Sequence, residues 1–552
     1  MRRRTFLVRS TAGCMGLASG LSSANMPQSA SASIVTGKSN HLEQNKNMEY
    51  LDESRKVPVV KEVDVVVIGG GISGMIAAIA AGKMGVTTIV VDRFGRLGGN
   101  IGPGYHVGGS AYSQTSVALQ SDLPSVAQEF FERIRQQITD SGYRSDINQQ
   151  NYAELSHLIS YHGASMAEEA GVELIFSVYG CDPIVEDNVV KGIFLEGKSG
   201  RVAIKSKILI DATGDANIAE RAGARIIRYV SEDFHFYNES PPSDKPDAFL
   251  FDECGLYMYI GNANRKVFDD YLRENEDTSD DDHTWAQEHL VGRNKYHGVP
   301  NAMIPLLRKA HVEGYHYYPI RELKEKTGLD ITISNHWGHM DWTWCGENIV
   351  QSRAAIATGE IDVGNMDVIS LLEKELRTQA FEKVEFLKKY APGFSNDSYI
   401  LFTSPYLGSR GGPFIEGEHT LTLQDWAGNR RFDDVIFQSF RTRSAVLDYA
   451  GEDWEPGLDV PYRMMLPKGF DNIYVVARGA AYVQRGHDGI GQMRTRPILM
   501  TLGQAGGTAA AMCVKTGASA QTLDIKTLQN ELLKQGFNLG DTERLRELDL
   551  NV

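Results

Sequence analysis

The run Val63-Asp64-Val65-Val66-Val67-Ile68, followed without a break by Gly69-Gly70-Gly71-Ile72-Ser73-Gly74, leaves this chain few folds to choose from. An almost wholly apolar, β-branched run reads as a parallel strand covered on both faces. The Ala-rich stretch from Met75 to Met84 reads as a helix that Gly85 ends, and Thr87-Thr88-Ile89-Val90-Val91, closing on Asp92, reads as the next strand. The result is a βαβ unit with GxGxxG in its first turn and an acid at the end of its second strand. In such a unit Gly69 permits the tight turn, Gly71 lets backbone approach a pyrophosphate, and Gly74 lets helix and strand pack closely. The helix start, Ile72 and Ser73, presents unpaired N–H groups and the positive end of a dipole to phosphate. Asp92 is placed to accept from a ribose hydroxyl and to repel a 2′-phosphate. A dinucleotide-binding, doubly wound α/β fold is expected.

After Asp92 the chain reads Arg93-Phe94-Gly95-Arg96-Leu97-Gly98-Gly99-Asn100, which resembles the acid-Arg-x4-Gly-Gly extension of FAD-binding flavoproteins with two dinucleotide-binding domains. Gly171 to Phe176 reads as a strand, and Val189 to Leu195 with Val202-Ala203-Ile204 as a β-meander. Lys207-Ile208-Leu209-Ile210-Asp211 leads into Ala212-Thr213-Gly214-Asp215, which is similar to the second FAD signature of the same proteins. Near the C-terminus, Asn472 to Gly479 is a strand entering a glycine turn, and Gly503 to Ala511 a small-residue helix whose N-terminus is expected to approach the flavin. With Arg377, Ala391-Pro392-Gly393-Phe394, Gly408-Ser409-Arg410 and Pro461 to Gly469, the order of motifs resembles the FAD-dependent oxidoreductase family that includes heterodisulfide-reductase-like and tricarballylate-dehydrogenase-like flavoproteins. The resemblance covers residues 61–225 and 370–518; around Gly408 only Arg410 remains of the arginine-rich step common in the family, and Gly479 stands where a Cys is common.

The resemblance implies a doubly wound, Rossmann-like FAD domain interrupted by an α+β substrate domain. It divides the chain into a leader (1–32), a linker (33–60), the first part of the FAD domain (61–225), a substrate or cap domain (226–440), the second part of the FAD domain (441–518) and a C-terminal tail (519–552). It assigns FAD to Gly69, Gly71, Ile72, Ser73, Gly74, Asp92, Arg93, Gly98, Gly99, Asn100, Val178, Ala212, Thr213, Gly214, Asp215, Arg478, Gly503 and Gln504.

Oxidation by flavin sends a hydride to N5 while a nearby base takes a proton. By resemblance the base is His487, in Arg485-Gly486-His487-Asp488, and Arg494 holds negative charge near the ring. His336-Trp337-Gly338-His339-Met340-Asp341-Trp342-Thr343-Trp344 reads either as a pocket wall containing His336 and His339 or as packed aromatic core, with a His-x-x-His-x-Asp metal site a weaker reading. His106, after the flavin-side Gly98-Gly99, reads as a solvent-facing or hydrogen-bonded histidine, with a covalent link to FAD the weaker reading, and no metal is expected. The chain has neither a second strand-GxGxxG-helix nor a CxxC, so electrons are expected to pass to a separate acceptor: oxygen, a quinone or a carrier protein. The preferred activity is dehydrogenation or oxidation of a small organic substrate. Alternatives are a C=C reductase of the fumarate-reductase type, with Arg410 or Arg494 as proton donor, and a flavin electron-transfer subunit.

Composition narrows this further. The 552 residues suffice for two or three domains, and a formal net charge of −15 disfavours contact with a phosphate backbone, so no nucleic-acid partner is expected. No charge-free apolar run has the ~18 residues of a spanning helix. The five cysteines are widely spaced and read as small buried hydrophobes. Residues 1–32, with Arg3-Arg4-Thr5-Phe6-Leu7 ahead of an Ala- and Gly-rich stretch, resemble a twin-arginine signal and imply export to the periplasm in folded form.

Overall fold

In the computed structural model the described residues are 51, 53–104, 123–140, 152–228, 251–277, 279–289, 299–315, 320–334, 342–409, 411–422, 424–425, 428–439, 458–483 and 491–550. The leader and much of the linker lie outside them. The first apolar run forms strand β1 (Val59–Ile68), followed by helix α1 (Ile72–Lys83) and strand β2 (Thr88–Asp92). Val65–Ile68 and all of β2 are buried, as a strand covered on both faces requires. Helix α2 (Ser125–Asp140) and a helix at Tyr152–Glu169 precede β3 (Glu173–Phe176), β4 (Tyr179–Glu186), β5 (Val189–Gly197) and β6 (Gly200–Asp211). The segments 202–204 and 207–211 are thus one strand. Lys205 and Lys207 interrupt its hydrophobicity only because they are exposed on either side of the buried Ser206.

The sheet runs β3-β2-β1-β6-β5-β4. The first four strands are parallel, and β5 and β4 join antiparallel. One edge of β6 serves two partners, because β5 pairs only with its N-terminal half. Its C-terminal residues Leu209–Asp211 take a parallel strand from the far end of the chain.

A second layer is inserted between these halves. Strands β7 (Phe251–Gly261) and β8 (Ile349–Glu360) form its antiparallel centre, helix α3 (Met366–Tyr390) lies against it, and β9 (Tyr399–Thr403) borders β7. Asn365 starts α3 by accepting from the N–H groups of Asp367 and Val368 at 3.0 and 3.1 Å. Val368, Leu372, Leu376, Ala380, Val384 and Leu387 make a buried stripe that packs on Leu256, Met258, Ile260 and Val350. The chain then returns to the first sheet with β10 (Ile473–Val475) and helix α4 (Arg496–Thr516).

Helix α4 is long and apolar enough to cross a membrane, but 89% of that window is buried inside the protein, where it is a core helix. Its glycines explain how it fits: a Cβ on Gly503 would collide with the Ser73 carbonyl, and one on Gly507 with that of Ala77, so α4 lies directly on α1. The second core runs from Cys254 to Phe394, whereas buried residues from Ile415 to Phe437 and from Leu523 to Leu550 belong to the first. Core membership therefore changes between Phe394 and Ile415, earlier than the 440 read from sequence, and residues 519–550 are packed structure rather than a tail. Cys254, Cys345 and Cys513 are buried and Cys181 is partly so, all as free thiols.

Candidate functional site

The carboxyl ends of β1, β2 and β6 converge, and each carries one of the sequence motifs. Gly69 takes φ +100° to turn the chain out of β1, and a Cβ there would run into the Ala212 carbonyl at the end of β6. A Cβ on Gly74 would collide with the Gly69 carbonyl and come 2.6 Å from the Ala212 Cβ, so helix and strand meet only without it. Gly71 is different. It caps α1 at φ −62°, which any residue adopts, and a Cβ there would meet nothing within 4 Å. Beside that open space, α1 has no side-chain cap and no acid in its first turn, as anion binding at its N–H groups requires.

Asp92 closes the other side. Its Oδ2 accepts from Gly70 N at 2.6 Å and its Oδ1 from Phe94 N at 2.7 Å, and burial pushes its carboxyl up. A carboxylate has about four acceptor sites, so these two bonds fix its direction and leave capacity for hydroxyl donors. Gly98 N donates to Gly70 O at 2.8 Å, which lays the second glycine pair over the first, and Asn100 is exposed at its end. The Arg93 guanidinium lies 4.7 Å over the Phe94 ring, and Phe94 stacks on Tyr406 at 4.5 Å. Val178 N donates to Asp92 O at 3.3 Å.

At the end of β6 the Ala212-Thr213-Gly214-Asp215 step is shaped by Asp211, a residue that sequence reading gave no role beyond ending a strand. The fully buried carboxylate accepts from Thr213 N at 3.0 Å, Thr213 Oγ1 at 2.7 Å, Ile218 N at 2.9 Å and Ala219 N at 2.8 Å. Burial pushes its carboxyl up, against the pull of those donors. Gly214 keeps φ +97°, and a Cβ there would find no atom closer than 3.9 Å. Arg478 Nε pairs with Asp215 Oδ1 at 3.1 Å, bringing the glycine turn after β10 to the same place.

The side chains at other expected positions have partners within the protein. The Ser73 hydroxyl donates to Val476 O, and Ile72 is partly buried against the first core. Gly503 lies inside α4, which begins at Arg496, so it serves helix packing and not a helix start. Gln504 Oε1 accepts from Val126 N at 3.0 Å and Ala127 N at 3.3 Å, capping α2. Gly503 lies against Ser73 in the first turn of α1. Trp344 is buried in the second core at 6.3 Å from Phe268, the packed reading for that part of the aromatic run. Arg494 is partly buried in a short 3-10 turn, Gly491–Arg494. His106, His336, His339, Arg410 and His487 lie outside the described residues. Phe94 and Tyr406 were missed; Phe94 sits inside a quoted motif, but nothing in the sequence singles out Tyr406.

Open space at Gly71 and Gly214, helix N–H groups, and an oriented acid at the end of β2 fit the phosphates and ribose of a dinucleotide. Fold and site together define a Rossmann-like nucleotide-binding flavoprotein with an inserted second domain. Residues 64–532 match the FAD dependent oxidoreductase family, and the chain belongs to it: it is an FAD-dependent oxidoreductase, with FAD as cofactor. Over 163 residues it is 26% identical to digeranylgeranylglycerophospholipid reductase 1 of Methanopyrus kandleri, covering 29% of this chain and 42% of that protein. Over 176 residues it is 30% identical to thiamine thiazole synthase of Sulfolobus acidocaldarius, covering 30% of this chain and 60% of that one. The matches thus span less than two thirds of these relatives. Among solved structures, a geranylgeranyl bacteriochlorophyll reductase-like protein from Thermoplasma acidophilum aligns at 12% identity and TM-score 0.35, over 89% of this chain and 87% of that one.

Proposed function

We propose that the enzyme oxidises a small organic substrate and delivers the electrons to a separate acceptor. The observation that carries this reading is one dinucleotide site among the described residues, in a sequence with no second strand-GxGxxG-helix and no CxxC to suggest relay through a bound nicotinamide or a dithiol. A substrate C–H bond breaks and its hydrogen leaves with the electron pair; the companion O–H or N–H proton goes to a base, and the substrate gains a double bond. FAD, when bound, supplies the hydride acceptor. The chain supplies the rest: the α1 N-terminus and Gly71 take the phosphates, Asp92 the ribose, and His487 and Arg494 are assigned the proton and the charge near the ring. By its leader, the protein is exported through the twin-arginine route to the periplasm.

Anaerobic mixing of the holoenzyme with panels of alcohols, amines and carboxylic acids tests the direction of electron flow. Bleaching of the flavin by an organic substrate but not by NADH or NADPH is expected, and His487→Ala should keep FAD while slowing that step ~10²- to 10⁴-fold. Rapid bleaching by NADH alone, or reduced enzyme that only reoxidises against an activated C=C bond, would overturn the reading in favour of a reductase. Replacing Arg3 and Arg4 with Lys should leave the precursor in the cytoplasm, and normal export of that variant would end the assignment of route.

A further inference from the structure

One short segment joins the inserted domain to the nucleotide site. Beyond β9 the chain runs through Ser404-Pro405-Tyr406-Leu407-Gly408-Ser409, and helix α3 holds it from behind. Arg377 Nη2 donates to the carbonyls of Ser404 and Pro405, each at 3.0 Å, and Glu373 Oε1 accepts from Leu407 N at 2.8 Å. The two side chains also pair with each other, Arg377 Nη1 with Glu373 Oε2, so one ion pair grips the backbone on both sides of Tyr406. Ser404 N donates to Tyr257 O of β7 at 2.8 Å, and the Leu407 side chain packs against the second core.

Tyr406 itself reaches the other domain. Its ring lies on Phe94 with 4.5 Å between centroids and 8° between planes, and the Arg93 guanidinium stands 4.7 and 5.4 Å from the Phe94 and Tyr406 centroids. A Cβ on Gly104 would come 2.7 Å from the Tyr406 hydroxyl oxygen, so the loop that follows Gly98-Gly99 receives the ring only because no side chain stands there. The Phe94 backbone is bonded at both ends: its N–H donates to Asp92 Oδ1 at 2.7 Å, and its carbonyl accepts from Ser177 N at 3.1 Å. Three residues beyond Tyr406, the Ser409 carbonyl accepts from Arg478, the partner of Asp215. The segment therefore touches the nucleotide site twice, beside the end of β2 and beside the turn after β6.

We propose that Tyr406 is a positioning residue for the adenosine half of FAD, and that α3 sets its place through Arg377 and Glu373. The inference rests on the assignment of Asp92 to the ribose made above. Asp92 offers a fixed carboxylate edge because Phe94 N holds its Oδ1, and Phe94 keeps its place because a second aromatic face covers it. That second face belongs to the inserted domain. Docking of the domain and grip on the cofactor are therefore coupled, and by linkage the coupling is reciprocal: α3 strengthens FAD binding, and bound FAD steadies the junction with α3.

The test follows FAD binding to the full-length chain by flavin fluorescence, with ADP, which carries adenosine and pyrophosphate but no flavin, as competitor. Tyr406→Ala should weaken FAD and ADP alike, by about three- to tenfold, the size of a lost aromatic pair, while the visible spectrum of the bound flavin stays that of the parent. Tyr406→Phe keeps the ring and should bind both as the parent does. Arg377→Gln, which releases the two carbonyls without touching the nucleotide site, should weaken both and add nothing to Tyr406→Ala. Should Tyr406→Ala fail to fold, Tyr406→Leu, which fills the space without an aromatic face, takes its place. Unchanged affinities, loss of FAD binding with ADP binding intact, a loss in Tyr406→Phe equal to that in Tyr406→Ala, or additive losses in the double variant overturn the proposal. Asp92→Asn separates it from its premise. ADP binding unchanged in that variant removes the ribose assignment and the proposal with it, whereas binding weakened there but intact in Tyr406→Ala leaves the assignment standing and ends the role of Tyr406 alone.

Discussion

At the scale of single residues, three glycines of one motif have different surroundings, and only the one proposed to meet the phosphates stands in open space. Gly69 and Gly74 exist because carbonyls and Ala212 crowd them, whereas the Gly71 position is open in the protein itself. Gly71→Leu should therefore fold with a small loss, ~1 kcal/mol at most for a poorer helix cap, but purify without FAD. Gly74→Val should cost well over the ~1–3 kcal/mol of ordinary overpacking, since its clash is with backbone, and fail in stability before cofactor binding can be assayed. Apoprotein melting curves beside flavin absorbance separate the two, and equal melting temperatures for both variants would sink the distinction. These roles were legible because spacing along a strand-turn-helix determines which glycine faces which neighbour. The position of Asp92 at the end of β2 was legible for the same reason, but its grip on Gly70 N and Phe94 N was not, because the bonds depend on how the Gly98 loop folds back.

Elements meet through contacts that span hundreds of residues, and there the sequence says least. Gln504 sits in a quoted motif, yet its amide is spent on the first turn of α2, on N–H groups that no local side chain satisfies. Gln504→Leu would strand those buried donors and should lower the unfolding free energy by about 1–3 kcal/mol while leaving the FAD spectrum unchanged, measured by denaturant titration of the holoenzyme. Helix α3 makes a second case. Burial holds the Lys383 amine well below the ordinary lysine value of 10.5. Between the folded value and 10.5 the unfolded chain holds a proton that the folded chain has released, so stability climbs as pH rises through that window. The unfolding free energy of the parent relative to Lys383→Met should therefore increase from neutral pH towards 10.5; a flat difference would mean that the amine is not desolvated. Nothing in the sequence marked Lys383, because a lysine in an amphipathic helix reads as solvent-facing until its phase against β8 is known.

For the whole molecule, the motifs located the first domain but not its closure. Small residues near 503 and the strand at 473 signalled a return to the first sheet, whereas residues 519–552 carry no motif and read as a tail. Leu523, Leu528, Leu532, Phe537, Leu539, Leu548 and Leu550 are buried in the first core. At ~1.5–3 kcal/mol for each large side chain, their loss, about 10–20 kcal/mol, is as large as the ~5–15 kcal/mol of a typical net stability. A chain ending at Ala518 should accordingly give no soluble, yellow protein; recovery of folded, FAD-bound material would show that the segment is dispensable. The discontinuity also governs the order of events during synthesis. β6 waits for β10, and α1 waits for α4, so the nucleotide-binding half leaves the ribosome early but cannot close until residues 473–516 arrive. Closure is then paced by distant pairings, and a nascent chain stalled before them exposes an unfinished parallel sheet to chaperones and proteases.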